Sequence, residues 1–294
     1  MKAWFYAFFM AWGMFLTLPC PFPKWDEDSR GRMLVCLPLV GVIVGGLWAL
    51  IAWLVDLIRL PAPLTALLLA ALPWAITGFI HLDGFTDVCD AMLSRRPLEE
   101  RRRILKDPHA GAFGVICLVL LMLAQFAVFL SAKKAASVDP GALLTGIGTD
   151  KLSEMLSKPA APSVRYGLIP MPKLAFLLSL ALIPVASRAA AGLAVLKLRP
   201  MQTSQYAGMA NAGRPVRGHI LALITMLVLA AAVPAVLFGL SGLAPAVTAA
   251  AYFLFCLIGY KNLKGMNGDI SGFALSLGEL FGAAVLVLLS AGTL

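Results

Sequence analysis

Seven stretches of this chain, near 34–58, 62–80, 113–130, 174–196, 219–240, 243–260 and 273–291, are almost wholly apolar. Each comes close to the ~20 residues that a helix needs to cross a bilayer. Inside hydrocarbon a backbone N–H or C=O has no water to bond to, so a spanning segment must satisfy itself as a helix or close into a barrel. Barrel strands take only about 9–11 residues, so runs of this length read as helices. The sequence therefore predicts an all-α fold: a polytopic integral membrane helical bundle of about seven transmembrane helices, forming one domain over 1–294. Composition agrees, since 13% of the residues are charged against ~25% for a soluble domain.

The N-terminal "MKAWFYAFFMAWGMFLTLPCPFP" looks at first like a secretion signal, but it has no small-x-small cleavage site and ends in prolines. It is expected to stay as an apolar segment, bent or ended by those prolines. The small residues of "VGVIVGGLWAL" predict close helix contacts, and "RLPAP" and "LSGLAP" predict tight returns. The five cysteines have no metal-ligand spacing and read as core residues. A net charge of +9 raises the idea of a nucleic-acid partner, but no basic patch interleaved with aromatics accompanies it, so nucleic acid is not expected. Instead Lys and Arg gather in 23–32, 81–112, 197–218 and 261–272, which the alternation of spans puts on one side. That side should be cytoplasmic. An extended polar loop, 131–173, runs against this pattern, because it lies on the other side and also carries lysines.

Against such a background the polar residues stand out. In "GFIHLDGFTDVCDAML", Asp83, Asp87 and Asp90 are spaced i, i+4, i+7 and share one face of a helix. Three aligned carboxylates repel one another unless that face is wet or holds cations. His81 precedes them, and "RRPLEERRRILKDPHAGAFG" follows with Lys106, Asp107, His109 and a run of arginines. A second group, "YKNLKGMNGDISGFALSLGE", holds Asn262, Lys264, Asn267, Asp269 and Glu279. Arg188 lies inside an apolar run, where a charge is costly and calls for a partner such as a carboxylate or a phosphate. Plainer readings exist for each: topology signals for the arginines, turn chemistry for "NGD", and helix entry for Gly111 and Gly114.

Taken in order, "FLTLPCP", "LVGVIVGG", "HLDGFTDVCDAML", "ILKDPHAGAFG", "SRAAAG" and "GMNGDISGFALSLGE" resemble the cobalamin synthase family, also called adenosylcobinamide-GDP ribazoletransferases, over nearly the whole chain. The chain departs from the usual pattern at Phe85, Thr86, Val88, Cys89, Ala91 and Asn267, and more widely after Arg188, while all three carboxylates of the motif are intact.

The resemblance implies a membrane-embedded catalytic domain that works with Mg2+. It would transfer the adenosylcobinamide phosphate group of adenosylcobinamide-GDP to α-ribazole or its 5'-phosphate, releasing GMP. On this footing Asp83, Asp87 and Asp90 are the expected metal ligands, and Asp107 is a further ligand or the base for the acceptor hydroxyl. Asp269 completes the metal site or holds the acceptor. Lys106, Arg188 and Lys264 are the expected phosphate contacts, His81 orients a carboxylate, and Asn267 and Glu279 complete the substrate-binding set. The expected partners are the two substrates, membrane lipid and, in a homo-oligomer, further copies of the chain, in the inner (cytoplasmic) membrane with the site facing the cytoplasm. Two alternatives remain. A CDP-alcohol phosphatidyltransferase-like enzyme would need an Asp-rich pattern whose second half does not follow here. A cation-coupled transporter would carry its acids at helix midpoints.

Overall fold

Prolines and left-handed residues divide the chain into helices, and the computed structural model describes residues 2–135, 165–166, 169–201 and 217–290. Helix α1 (Lys2–Phe15) stops ahead of the proline-rich stretch and, at 14 residues, is shorter than a crossing requires. After the single turn α2 (Arg30–Met33), α3 (Leu37–Leu57) begins with a proline in its first turn, where a missing N–H removes no helical bond. Arg59 is left-handed (φ 53°) and Pro61 precedes α4 (Ala62–Ile76), which makes the expected return at "RLPAP".

The expected span 62–80 is corrected by the structure. Gly78 (φ 62°) and Phe79 (φ 59°) are both left-handed, a conformation that a right-handed helix cannot carry through. The helix breaks there, and α5 (Ile80–Leu93) leaves at 91° to α4. Hydropathy marks the end of the apolar run near residue 80, where His81 and Asp83 follow, but carries no sign of the sharp turn.

The chain continues through α6 (Leu98–Ile104) and α7 (Ala112–Ala135). A two-residue antiparallel ladder, Arg165–Tyr166 with Ile169–Pro170, leads into α8 (Met171–Lys197). Helices α9 (Arg217–Phe238), α10 (Ala244–Leu263) and α11 (Gly268–Leu289) follow. By length and composition, five helical segments among the described residues suffice to cross a membrane, or six if the bent α4–α5 pair is one span. The expected count of seven is higher because it divides the continuous run Arg217–Leu263 in two. Most of the loop 131–173 and the segment 202–216 lie outside the described residues.

Glycine sets the helix contacts. A methyl group on Gly41 would stand 2.8 Å from the backbone of Val185, and one on Gly45 would collide with Ala181, so α3 and α8 lie backbone to backbone in opposite directions. Gly46, one residue on, meets nothing. Gly278, beside Thr248 and Tyr252, does the same for the α10–α11 hairpin. At the end of the bundle away from the aspartates, Asp56 of α3 pairs with Lys173 of α8. Outward-facing Leu120, Leu123, Leu229 and Val236 stay exposed, as a lipid-facing surface requires. All five cysteines are unpaired, and Cys36, Cys89 and Cys256 are buried.

Candidate active site

The three aspartates of α5 form one row that runs from solvent into protein. Asp83 is exposed, Asp87 is half-buried and Asp90 is buried. A uniformly wet or uniformly lipid-facing helix would not show this gradient, which arises because α5 crosses α11 near its start and meets α7 near its end. At the first crossing, Gly84 lies against Asp269, Gly272 lies against the His81 backbone, and Phe85 stacks on Phe273 at 5.6 Å. At the second, Oδ2 of Asp90 accepts a hydrogen bond from the Gly111 N–H (2.7 Å), just ahead of α7. Side chains on Gly111 or Gly114 would run into that carboxylate. These two glycines, readable in sequence as helix-entry residues, make the room that Asp90 occupies.

The Gly84 contact brings a fourth carboxylate to the row. Asp87 lies within electrostatic reach of Asp83, Asp269 and Asp90. Asp269 is held at the start of α11 by Asn267, whose Oδ1 accepts from the Ile270 N–H (3.0 Å) while its Nδ2 donates to Asp269 Oδ2 (2.6 Å). Among the described residues, no three His, Cys, Asp or Glu side chains are close enough to enclose a metal by themselves. The carboxylates thus offer a partial set of hard oxygen donors, open on one side.

Asp83 and Asp269 face a cavity of about 370 Å³, walled also by His81, Lys106, Arg188 and Asn267. Its remaining wall is largely apolar, from Phe15, Leu37, Val40, Val195 and Leu275. His81 stacks on Phe15 (6.4 Å), and its Nε2 is buried with no hydrogen-bond partner among the described residues. Arg188 reaches the cavity from α8 and is anchored from behind: its Nη1 donates to Glu279 Oε1 (2.7 Å) with both side chains at least 96% buried. Ser187 Oγ donates to the same oxygen (2.8 Å). The sequence treats Arg188 and Glu279 as separate substrate contacts, but the structure pairs them with each other, and Glu279 does not reach the cavity wall.

Asp107 lies apart. It is exposed, accepts from the backbone N–H of His109 (3.0 Å) and contacts its ring (2.8 Å), and those bonds hold its carboxyl below the usual carboxylate range. It does not line the cavity. Lys264, left-handed (φ 53°) at the end of α10, belongs to a neighbouring basic cavity rather than to this one. That neighbour also contains Arg199 and Met201, which are tied to the second constellation by Met266 N–H to Arg199 O (2.9 Å) and Met201 N–H to Met266 O (2.8 Å). Sequence reading missed this strap, because a backbone bridge carries no residue signature.

The chain matches the family described as cobalamin-5-phosphate synthase over residues 7–288. An adenosylcobinamide-GDP ribazoletransferase of Clostridium botulinum (strain Alaska E43 / Type E3) is 30% identical over 283 residues, 96% of this chain and 97% of that protein. One from Clostridium perfringens (strain 13 / Type A) is 33% identical over 288 residues, 97% of this chain and 99% of that protein. One from Lachnoclostridium phytofermentans is 26% identical over 292 residues, 97% and 94% of the two chains. No solved structure matches.

Proposed function

The chain belongs to the cobalamin-5-phosphate synthase family, and from that premise we propose that it transfers the adenosylcobinamide phosphate group of adenosylcobinamide-GDP to α-ribazole or α-ribazole 5'-phosphate. The acceptor's ribose oxygen bonds to the phosphorus that carries cobinamide, and the bond from that phosphorus to the bridging oxygen breaks. GMP leaves with that oxygen, and the hydroxyl proton is taken up. The products are adenosylcobalamin or its 5'-phosphate.

The observation that carries this reading is the convergence of Asp83 and Asp269 beside Arg188 and Lys106 on one cavity, with Asp87 within electrostatic reach of both carboxylates. A diphosphate donor needs cationic charge where its negative charge grows, and an open, partial carboxylate set suits magnesium, which fills its octahedron with substrate phosphate and water. Asp83 and Asp269, on the cavity wall, would hold the ion together with substrate oxygens, and Asp87 would add negative charge beside them. Asp90, engaged with Gly111, lies at the buried end of the row, and Asp107, engaged with His109, lies apart from it. When bound, magnesium supplies charge stabilisation at the transferring and leaving oxygens.

The chain's own residues do the rest. Arg188, fixed by Glu279 and Ser187, presents a preoriented guanidinium to the diphosphate. Lys106 adds a second positive charge at the rim. Asn267 keeps Asp269 in one rotamer. The free Nε2 of His81 is the group we assign to the acceptor hydroxyl, because it is buried, unpartnered among the described residues and part of the cavity wall.

We further infer that the site faces the cytoplasm from the inner membrane and that the bundle crosses seven times. The run Arg217–Leu263, at 47 residues, would be about 70 Å long as one helix, more than twice the ~30 Å hydrocarbon core. A side chain on Gly242 would collide with the Pro234 carbonyl, a contact that supports a fold-back at "LSGLAP". Purified protein in detergent, given both substrates and magnesium, should release GMP and form cobalamin together. Folded protein that forms neither overturns the reading, and uptake into sealed vesicles without product would favour transport.

A further inference from the structure

Helix α4 ends where the chain turns, and the turn takes away the helical partners of its last carbonyls. In a continuing helix the N–H groups of Phe79 and Ile80 would bond Ala75 and Ile76, but here they bond the carbonyls of Trp74 (2.9 Å) and Thr77 (3.4 Å). Ala75 keeps one bond, from the Gly78 N–H (3.2 Å). Further bonds come from Thr17, 59 residues before Ile76. Thr17 donates its backbone N–H to the Ile76 carbonyl (2.8 Å), and its Oγ1 donates to the carbonyls of Ile76 (3.1 Å) and Ala75 (3.2 Å). Its methyl group faces the left-handed Gly78, where a side chain would stand 3.0 Å from Thr17 Cγ2. The segment is itself held, because Trp12 Nε1 donates to the Leu18 carbonyl (3.1 Å) and turns the chain back on α1.

Thr17 therefore bridges the break, and the break aims α5. The middle and end of α5 are fixed elsewhere, by Gly84 against Asp269 and by Asp90 at Gly111. Its first turn starts at the break, with the Asp83 N–H on the Phe79 carbonyl (3.1 Å). Two residues before Thr17, Phe15 stacks on His81 and walls the carboxylate cavity. Thr17 also lines a groove of about 500 Å³ that crosses the break, and Met14, Ile80 and Asp83 belong to both groove and cavity. We propose that Thr17 is a positioning residue: by holding the α4–α5 break it sets the direction from which α5 presents Asp83 to the carboxylate cavity. This gives the stretch "FLTLPCP" a part in the site that its apolar composition conceals. What Asp83 does there rests on the transferase reading above, whereas the hold on the break does not.

Thr17→Val keeps the shape of the side chain and loses the hydroxyl, and Thr17→Ser keeps the hydroxyl. Thr65→Val is the control, because Thr65 Oγ1 makes the same kind of bond, to the Leu60 carbonyl (3.1 Å), at the other end of α4. In detergent, amide hydrogen exchange over 77–84 should be about threefold faster or more in Thr17→Val, the scale of one neutral hydrogen bond. The magnesium concentration for half-maximal rate should rise by a similar factor, because apparent affinity falls with the fraction of molecules in the competent geometry. Thr17→Ser should stay within about twofold of wild type in both measurements. Thr65→Val should speed exchange near residue 65 and leave both 77–84 and the magnesium midpoint unchanged. Wild-type exchange over 77–84 in Thr17→Val overturns the proposal. So does a lower kcat with an unmoved magnesium midpoint, which is what a purely structural role gives. A midpoint shift of the same size in Thr65→Val or Thr17→Ser overturns it as well. If Thr17→Val does not fold, Thr17→Ala removes the same hydroxyl without placing a methyl group against the two carbonyls, and the same outcomes decide. If wild type releases no GMP, the transferase reading itself fails, and exchange over 77–84 then decides the hold on the break alone.

Discussion

Gly84 of α5 and Asp269 of α11 are in backbone contact: a methyl group on Gly84 would stand 2.7 Å from the Asp269 Cα. Helices meet this closely only where one of them has no side chain. The contact sets how near Asp269 comes to Asp83 and Asp87. Gly84→Ala should therefore separate the carboxylates while leaving every one of them in the chain. The expected outcome is a folded protein destabilised by about 1–3 kcal/mol, the usual cost of overpacking, with a raised magnesium requirement and a large loss of rate. Thermal unfolding in detergent and a magnesium titration check it. Unchanged magnesium dependence would separate the helix contact from the metal site.

Asp87 is the middle carboxylate of the row and has like charges around it. Asp87→Asn keeps the size of the side chain and removes its charge, so the folded yield should hold. The transfer rate should fall on the order of 100-fold, the scale for removing one group that stabilises charge in the transition state. Asp56 is a poor control because it pairs with Lys173. Glu100, in an exposed pair with Arg96 at 3.9 Å, is a better one, and Glu100→Gln should change the rate little.

Asp90 separates two roles that the sequence could not. Its Oδ2 accepts from Gly111 at the entry to α7. Asp90→Ala should cost about 0.5–2 kcal/mol, as for losing a side-chain acceptor at a helix start, while Asp90→Asn keeps an acceptor and should recover much of that stability. The magnesium midpoint of Asp90→Asn should move less than that of Asp87→Asn. A larger shift would make Asp90 a ligand in its own right.

Arg188 and Glu279 form a buried pair, and removing one partner leaves an uncompensated buried charge. Glu279→Ala should destabilise by about 3–5 kcal/mol. Replacing both, as Arg188→Met with Glu279→Leu, should restore much of the stability without restoring activity, because Arg188 faces the cavity. Melting temperatures and initial rates of the single and double variants check the pair. Recovery of rate in the double variant would remove Arg188 from substrate binding.

The membrane side is open to labelling in a cysteine-free background, in intact cells. Arg96→Cys and Lys261→Cys, both exposed near the basic cavity, should resist an impermeant thiol reagent, while Arg59→Cys at the opposite return should react. Reaction at position 96 or 261 would reverse the orientation. Ser271 is unsuitable as a reporter, because it is buried and bonded to Tyr252 (2.9 Å).

Much of this protein is decided by local rules that a sequence carries openly. Apolar run length predicts helices within a few residues of those observed at α3, α7, α8, α9 and α10, because a membrane leaves the backbone no other way to bond. The i, i+4, i+7 spacing aligns Asp83, Asp87 and Asp90 for the same reason, since helical periodicity is a property of the segment itself. The clustering of arginine and lysine likewise marks one end of the bundle.

Tertiary structure decided which of those residues meet. The break at Gly78 and Phe79 turns α5 across α11, and the missing side chain of Gly84 lets Asp269, far along the chain, join the row, while Asp107 turns outward to His109. Arg188 and Glu279 look like two separate anomalies in sequence and become one ion pair only when α8 packs on α11. Those outcomes depend on distances between backbones, which are set by where small residues on two helices coincide, and that coincidence is written in no single segment of the chain.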